Sequence, residues 1–102
     1  WMLADSAVEI HASRLMAYHL AWLVDQGEQP IKESSIVKLH NTEMVNRVAD
    51  RAVQIFGGAG YMSEYGIERF YRDVRLFRLY EGTTQIQQVI IARNMVREAR
   101  AA

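Results

Sequence analysis

At 102 residues, 50% hydrophobic and 24% charged, the chain has the length of one compact domain and the composition of an ordinary globular one. Twelve basic side chains balance twelve acidic ones. That balance argues against a nucleic-acid or anionic-membrane surface, either of which needs a basic excess. The absence of cysteine excludes disulfides and thiolate metal sites and fits a reducing compartment.

No apolar run approaches the roughly 20 residues of a membrane span, and the N-terminus lacks the charged-then-apolar order of a signal peptide. Trp1 is no natural initiator and opens within a helical pattern, so the chain is expected to be taken from something longer.

The first predicted helix covers Met2 to Asp25. Leu3, Ala7, Ile10, Arg14, Ala17, Ala21 and Val24 recur at spacings of three and four, and Val8, Leu15, Tyr18 and Trp22 widen the stripe. Gln26-Gly27-Glu28-Gln29-Pro30 stops it. A second helix is predicted from Ile31 or Lys32 to Phe56, with Val45, Val48, Ala52 and Ile55 on its later buried face. The short connection makes the two antiparallel neighbours. Gly57-Gly58-Ala59-Gly60 ends the second helix, and Tyr61 to Gly66 reads as a loop.

Ile67 to Arg75 reads as a short amphipathic helix with Ile67, Phe70 and Tyr71 on one face, and Leu76 to Gly82 as irregular. The last helix runs from Thr83 or Thr84 to Arg100. Thr84 and Gln87 fit a capping box, and Ile86, Val89, Ile90 and Met95 or Val96 supply its apolar side. The expected fold is all-α, an up-and-down bundle of three long helices and one short one. Its many apolar side chains lead to the expectation of self-association or a partner domain.

Three windows could carry chemistry. Gln54-Ile55-Phe56-Gly57-Gly58-Ala59-Gly60-Tyr61 follows a helix, so it is no dinucleotide fingerprint, and no Gly-Lys-Ser/Thr makes it a phosphate loop. Read alone, it favours a helix cap and tight turn over a ligand approach. Leu79-Tyr80-Glu81-Gly82-Thr83-Thr84 sets a carboxylate beside an aromatic ring, a glycine and a helix start. Read alone, it favours a capping acid; in apolar surroundings the same carboxyl would rise toward neutrality and suit proton abstraction. Arg69, Arg72, Asp73, Arg75 and Arg78 could face phosphates but read more readily as a solvated face, with Arg69 and Asp73 paired. His11, His19 and His40 lack metal-ligand spacing, so no metal site is expected. Trp22, Phe56, Tyr61, Phe70, Tyr71 and Phe77 read as core rather than a stacking platform.

Taken in order, the windows are specific. Ala52-Val53-Gln54-Ile55-Phe56-Gly57-Gly58-Ala59-Gly60-Tyr61, Glu64-Tyr65-Gly66-Ile67-Glu68-Arg69, Tyr71-Arg72-Asp73-Val74-Arg75 and Tyr80-Glu81-Gly82-Thr83-Thr84-Gln85-Ile86-Gln87 resemble the C-terminal helical domain of the acyl-CoA dehydrogenase family in sequence, order and spacing. The resemblance covers essentially residues 1–102 and overrides the plain readings of the first two windows. It implies a parent enzyme with an N-terminal helical domain and a middle β-domain that lie outside this chain. That parent desaturates an acyl-CoA thioester between Cα and Cβ, passing a hydride to FAD and electrons to an electron-transfer flavoprotein.

By the same resemblance Glu81 is the α-proton base, its N–H helps hold the thioester carbonyl, and Gly82 lines the acyl-CoA path. Gln54, Ile55, Phe56, Gly57 and Gly58 contact FAD, mostly that of the neighbouring subunit, and Thr83, Thr84, Gln85 and Ile86 contact the FAD of their own. Some branches carry a non-acid at this turn; Glu81 follows the commoner branch. Gly66 stands where many members have proline, which is expected to loosen that turn. A homo-oligomer, dimer or tetramer, is implied, in bacterial cytoplasm or mitochondrial matrix. With a flavin site assembled from several domains, this chain alone is expected to bind FAD weakly or not at all and to lack dehydrogenase activity. The alternative is a non-catalytic helical module for structure or oligomerisation.

Overall fold

A computed structural model describes all 102 residues, which form helices and turns without a strand. Helix α1 spans Met2–Asp25, α2 Ile31–Phe56, α3 Gly58–Tyr61, α4 Ile67–Arg75 and α5 Thr84–Ala101, with single 3-10 turns at Ser63–Tyr65 and Leu76–Arg78. The long helices keep their expected bounds to within a residue. Stretches expected to be irregular are partly helical: Gly58–Tyr61 winds one turn, Ser63–Tyr65 forms a 3-10 turn within the expected loop, and Leu76–Arg78 tightens the end of α4.

Helix α2 is the spine. Helices α1, α4 and α5 all pack on it, and α1 and α5 pack on each other far less. Both run antiparallel to α2: Glu9 of α1 reaches Arg47 and Arg51, while Thr84 at the start of α5 meets Glu43 and Glu98 near its end meets Lys32. The molecule is correspondingly long, 54 × 23 × 23 Å.

The seam between α1 and α2 is largely polar. Ser13, 2% exposed, places its Oγ 3.2 Å from His40 Nδ1, and its carbonyl accepts from Asn41 Nδ2 at 3.1 Å. Small serines let the backbones approach, and each buried polar atom there has a partner. Glu9 accepts from Arg47 Nε at 3.0 Å and Arg51 Nη1 at 2.6 Å. The Arg51 hydrogen bond, joined by Arg47, outweighs desolvation and holds the Glu9 carboxyl below its usual range. Helix α4 is tied in by Asn46 Nδ2, which donates to the Val74 carbonyl at 2.9 Å.

The faces turned inward differ from those read in the sequence. On α1 they are Met2, Ser6, Glu9, Ile10, Ser13, Met16, Leu20 and Leu23, one position off the expected stripe, while Leu3, Val8, Leu15, Tyr18, Trp22 and Val24 are exposed. Apolar residues surround α1 on all sides, so periodicity could not choose between faces. On α5, Thr84 and Gln87 are buried and Ile90 is half-buried, but Ile86, Val89, Met95 and Val96 are exposed. On α4, Val74 is buried, Ile67 half-buried, and Phe70 and Tyr71 exposed; on α2, Val45, Val48 and Ala52 are half-buried and Ile55 exposed.

Of the aromatics read as core, only Phe77 is half-buried; Trp22, Phe56, Tyr61, Phe70 and Tyr71 lie open. With one spine and no second layer, the chain buries only 8 residues, so each outer helix keeps a bare apolar side. Arg69 and Asp73 form no ion pair; the arginine of that cluster that does is Arg78, with Glu43.

Candidate functional site: the turn before α5

The site is built by a change of backbone direction. After the 3-10 turn, the Leu79 and Tyr80 amides both donate to the Leu76 carbonyl, and the Phe77 and Tyr80 rings stack with centroids 5.8 Å apart. The chain then reverses through Glu81 at φ 53° and Gly82 at φ 89°. Glu81 is the only non-glycine residue in the left-handed region, a conformation that costs an L-residue about 1–2 kcal/mol. Gly82 has a second reason to lack a side chain: a Cβ there would lie 2.6 Å from Gln87 Nε2.

Side chains from two helices hold this turn by its carbonyls. Lys38 Nζ donates to the Tyr80 carbonyl at 3.1 Å and the Gly82 carbonyl at 2.5 Å. Gln87 Nε2 donates to the Glu81 carbonyl at 3.2 Å and more weakly to that of Gly82 at 3.4 Å. Thr83 is the true cap of α5, its hydroxyl accepting from the Ile86 N–H at 3.2 Å. The capping box expected at Thr84 and Gln87 is therefore displaced: the cap falls one residue earlier, and Gln87 reaches further back into the turn.

Thr84 instead turns inward, 7% exposed, and its hydroxyl donates to Glu43 Oε1 at 2.7 Å, where Arg78 Nε also donates at 3.0 Å. Burial pushes the Glu43 carboxyl up, but the Thr84 and Arg78 hydrogen bonds prevail and hold it below its usual range.

The Glu81 side chain is exposed and makes no hydrogen bond or ion pair, and its N–H donates to no group of the chain. The result is a carboxylate and an adjacent amide on a turn whose carbonyls are tied from behind. Such a pair can take a proton and donate a hydrogen bond to one incoming group. This chain does not itself build apolar surroundings for the carboxyl, since Leu79 and Tyr80 are exposed.

The second set of residues expected at a site lies elsewhere. Gln54, Ile55, Phe56, Gly57 and Gly58 are all exposed at the end of α2, where Gly57 turns the chain at φ 65° and ψ −143°. Gly60 behind them is buried against the Val53 backbone, with no room for a Cβ. Gln54 lies about 16 Å of helix rise beyond Glu43, which meets Thr84. One chain therefore does not bring residues 54–58 together with Thr83, Thr84, Gln85 and Ile86. An open groove of 570 Å³ beside α4, lined by Asp50, Tyr61, Glu68, Arg72 and Arg75 among others, contains neither set.

Lys38 and Glu43 escaped the sequence reading. They stand on α2 more than forty positions from Tyr80 and Thr84, the residues they bind, and no local pattern links them.

The family model described as acyl-CoA dehydrogenase, C-terminal domain, matches residues 1–96. The caffeyl-CoA reductase–Etf complex subunit CarC of Acetobacterium woodii is 45% identical over 92 residues, covering 90% of this chain and 24% of that protein. Cyclohexane-1-carbonyl-CoA dehydrogenase of Geobacter metallireducens is 42% identical over 98 residues, covering 96% and 26%. The structure of butyryl-CoA dehydrogenase from Megasphaera elsdenii superposes with a TM-score of 0.90 at 34% identity, covering 93% of this chain and 25% of that one. The chain thus spans about a quarter of the length of the relatives it matches.

Proposed function

The chain belongs to the acyl-CoA dehydrogenase family, as its C-terminal domain, and on that premise we propose that its full-length parent is an FAD-dependent acyl-CoA dehydrogenase in which Glu81 is the α-proton base. One observation carries the assignment. In a chain of this family, the one non-glycine residue in the left-handed region is a carboxylate, exposed and free of partners, on a turn fastened by its carbonyls.

The chemistry explains what such a turn is for. The α-proton of a thioester is weakly acidic, so its removal needs a fixed base and hydrogen-bond donors where enolate charge develops on the carbonyl oxygen. The Glu81 carboxylate takes the proton from Cα; the Glu81 N–H donates to the thioester oxygen. Gly82, without a side chain, leaves the acyl-CoA path open. Bound FAD would supply the acceptor for the β-hydrogen and its electron pair.

The residues present fit that cofactor in two parts. Thr84 and Gln85 begin α5 with amides that donate to nothing in the chain, a suitable place for polar cofactor groups. The exposed Gln54 to Gly58 edge offers an amide side chain and an uncrowded glycine backbone. Their separation supports a flavin held between two copies, with residues 54–58 serving the neighbour's.

The same base serves either direction, since the group that removes a proton from Cα returns it in reverse. A relative named as a reductase–Etf complex subunit and another named as a dehydrogenase fit this equally. The proposed electron partner is an electron-transfer flavoprotein, and the proposed compartment is bacterial cytoplasm or mitochondrial matrix. No helix is long and apolar enough to cross a membrane.

The bare apolar side of α1 favours a second role in assembly, as part of a homodimer or homotetramer; by itself that role would make the chain a structural module. Glu81→Gln in the full-length protein separates the two. Desaturation of acyl-CoA should be lost while FAD stays bound, and unchanged turnover would overturn the base assignment.

A further inference from the structure

Glu81 and Gly82 are consecutive residues in the left-handed region, and neither lies inside a helix that would hold it there. The carbonyls on either side of Glu81, those of Tyr80 and Gly82, converge on one ammonium group, Lys38 Nζ. Lysine has three N–H donors on one small head, so a single side chain can bind both ends of the reversal at once. The carbonyl between them is taken by Gln87. If Glu81 relaxed to an ordinary negative φ, the flanking peptide planes would rotate and the Lys38 contacts would be lost.

The backbone of Lys38 is held in place. The residue is half-buried on the spine helix, one turn from Thr42, whose hydroxyl donates to the Lys38 carbonyl at 2.7 Å.

The geometry points to Lys38 as a positioning residue for the reaction: it fixes the Glu81 turn so that carboxylate and N–H meet the thioester together. This rests on the reading of Glu81 as base. Lys38 touches neither substrate nor reacting atom; it acts through the two carbonyls. Loss of its donors should therefore slow proton abstraction without weakening substrate binding.

The experiment uses the full-length holoenzyme. Lys38→Met keeps the stem and removes the donors; Lys38→Leu is a second donor-free variant should the first fold poorly; Lys38→Arg restores donors. With rates expressed per bound flavin, kcat should fall roughly ten- to a hundredfold in the Met and Leu variants, with KM within about twofold of wild type. The isotope effect with an α-deuterated acyl-CoA should rise, because the proton step becomes more limiting. Lys38→Arg should recover most of the rate.

A merely structural lysine would change flavin content or melting temperature and leave the per-flavin rate and isotope effect alone. If that is seen while Glu81→Gln is inactive, the Lys38 inference is overturned and the base reading stands. If Glu81→Gln retains turnover, the base reading falls and this inference with it.

Discussion

Glu81 sits where a glycine would sit more comfortably. An L-residue at φ 53° is uncommon outside Asn and Asp, and strain of that kind concentrates where a side chain must be aimed. Its neighbours show two different uses of glycine. Gly82 is needed for its φ of 89°, and the atom a Cβ would strike is the Nε2 by which Gln87 holds the turn. Gly60 has ordinary φ, but a Cβ there would meet the Val53 carbonyl oxygen at 2.5 Å and the Phe56 Cβ at 2.9 Å. Gly60→Ala should thus destabilise the fold by about 1–3 kcal/mol through overpacking, visible as a lower denaturation midpoint. Gly82→Ala should cost about 1–2 kcal/mol of local strain and act chiefly on turnover. Equal midpoints for Gly60→Ala and wild type would refute the packing account. At Gly66 φ is 80°, which a proline ring cannot adopt, so the turn before α4 as built here has no room for proline.

At the scale of elements, the sequence made the helices legible and left their orientation obscure. Spacing and the Gly-Pro stop located α1 and α2, because periodicity and breakers are local. The inward face of α1 lies one residue off its apolar periodicity, since its inward side includes Ser6, Glu9 and Ser13 while its outer side is apolar. The capping-box pattern puts the cap of α5 at Thr84, but Thr84 is drawn inward by Glu43, and Thr83 takes its place. Glu81 was legible because its motif is contiguous. Lys38 was not, because a hydrogen bond spanning 42 residues leaves no trace in a short window.

The inter-helix carboxylates also set how the elements respond to acid. Glu9 and Glu43 both have folded pKa values below their unfolded ones. Their contribution is therefore complete above the ordinary carboxylate pKa and disappears as pH falls through the lowered folded values. The melting temperature should drop below about pH 4, and Glu43→Gln should flatten that dependence; an identical slope in the variant would count against the Glu43 assignment.

The whole molecule is a spine with helices on its sides rather than a closed bundle. Only Met44, Ala49 and Val74 form its buried hydrophobic core, and the outer sides of α1 and α5 are bare. Residues 1–102 expressed alone should self-associate in sedimentation experiments and purify without stoichiometric yellow flavin absorbance. A strict monomer would count against the first, and retained flavin against the second. Because residues 54–58 and the Glu81 turn lie at different stations on α2, a variant damaged at one station keeps the other intact. If residues 54–58 serve the neighbour's flavin as proposed, then in a mixed dimer Glu81→Gln in one subunit and a disrupted Gln54–Gly58 edge in the other would concentrate both defects in one site and leave the second site with none. Two inactive parents, co-expressed, should then yield an active hybrid. The distance along one helix thus becomes a genetic property: complementation between alleles that are each without function.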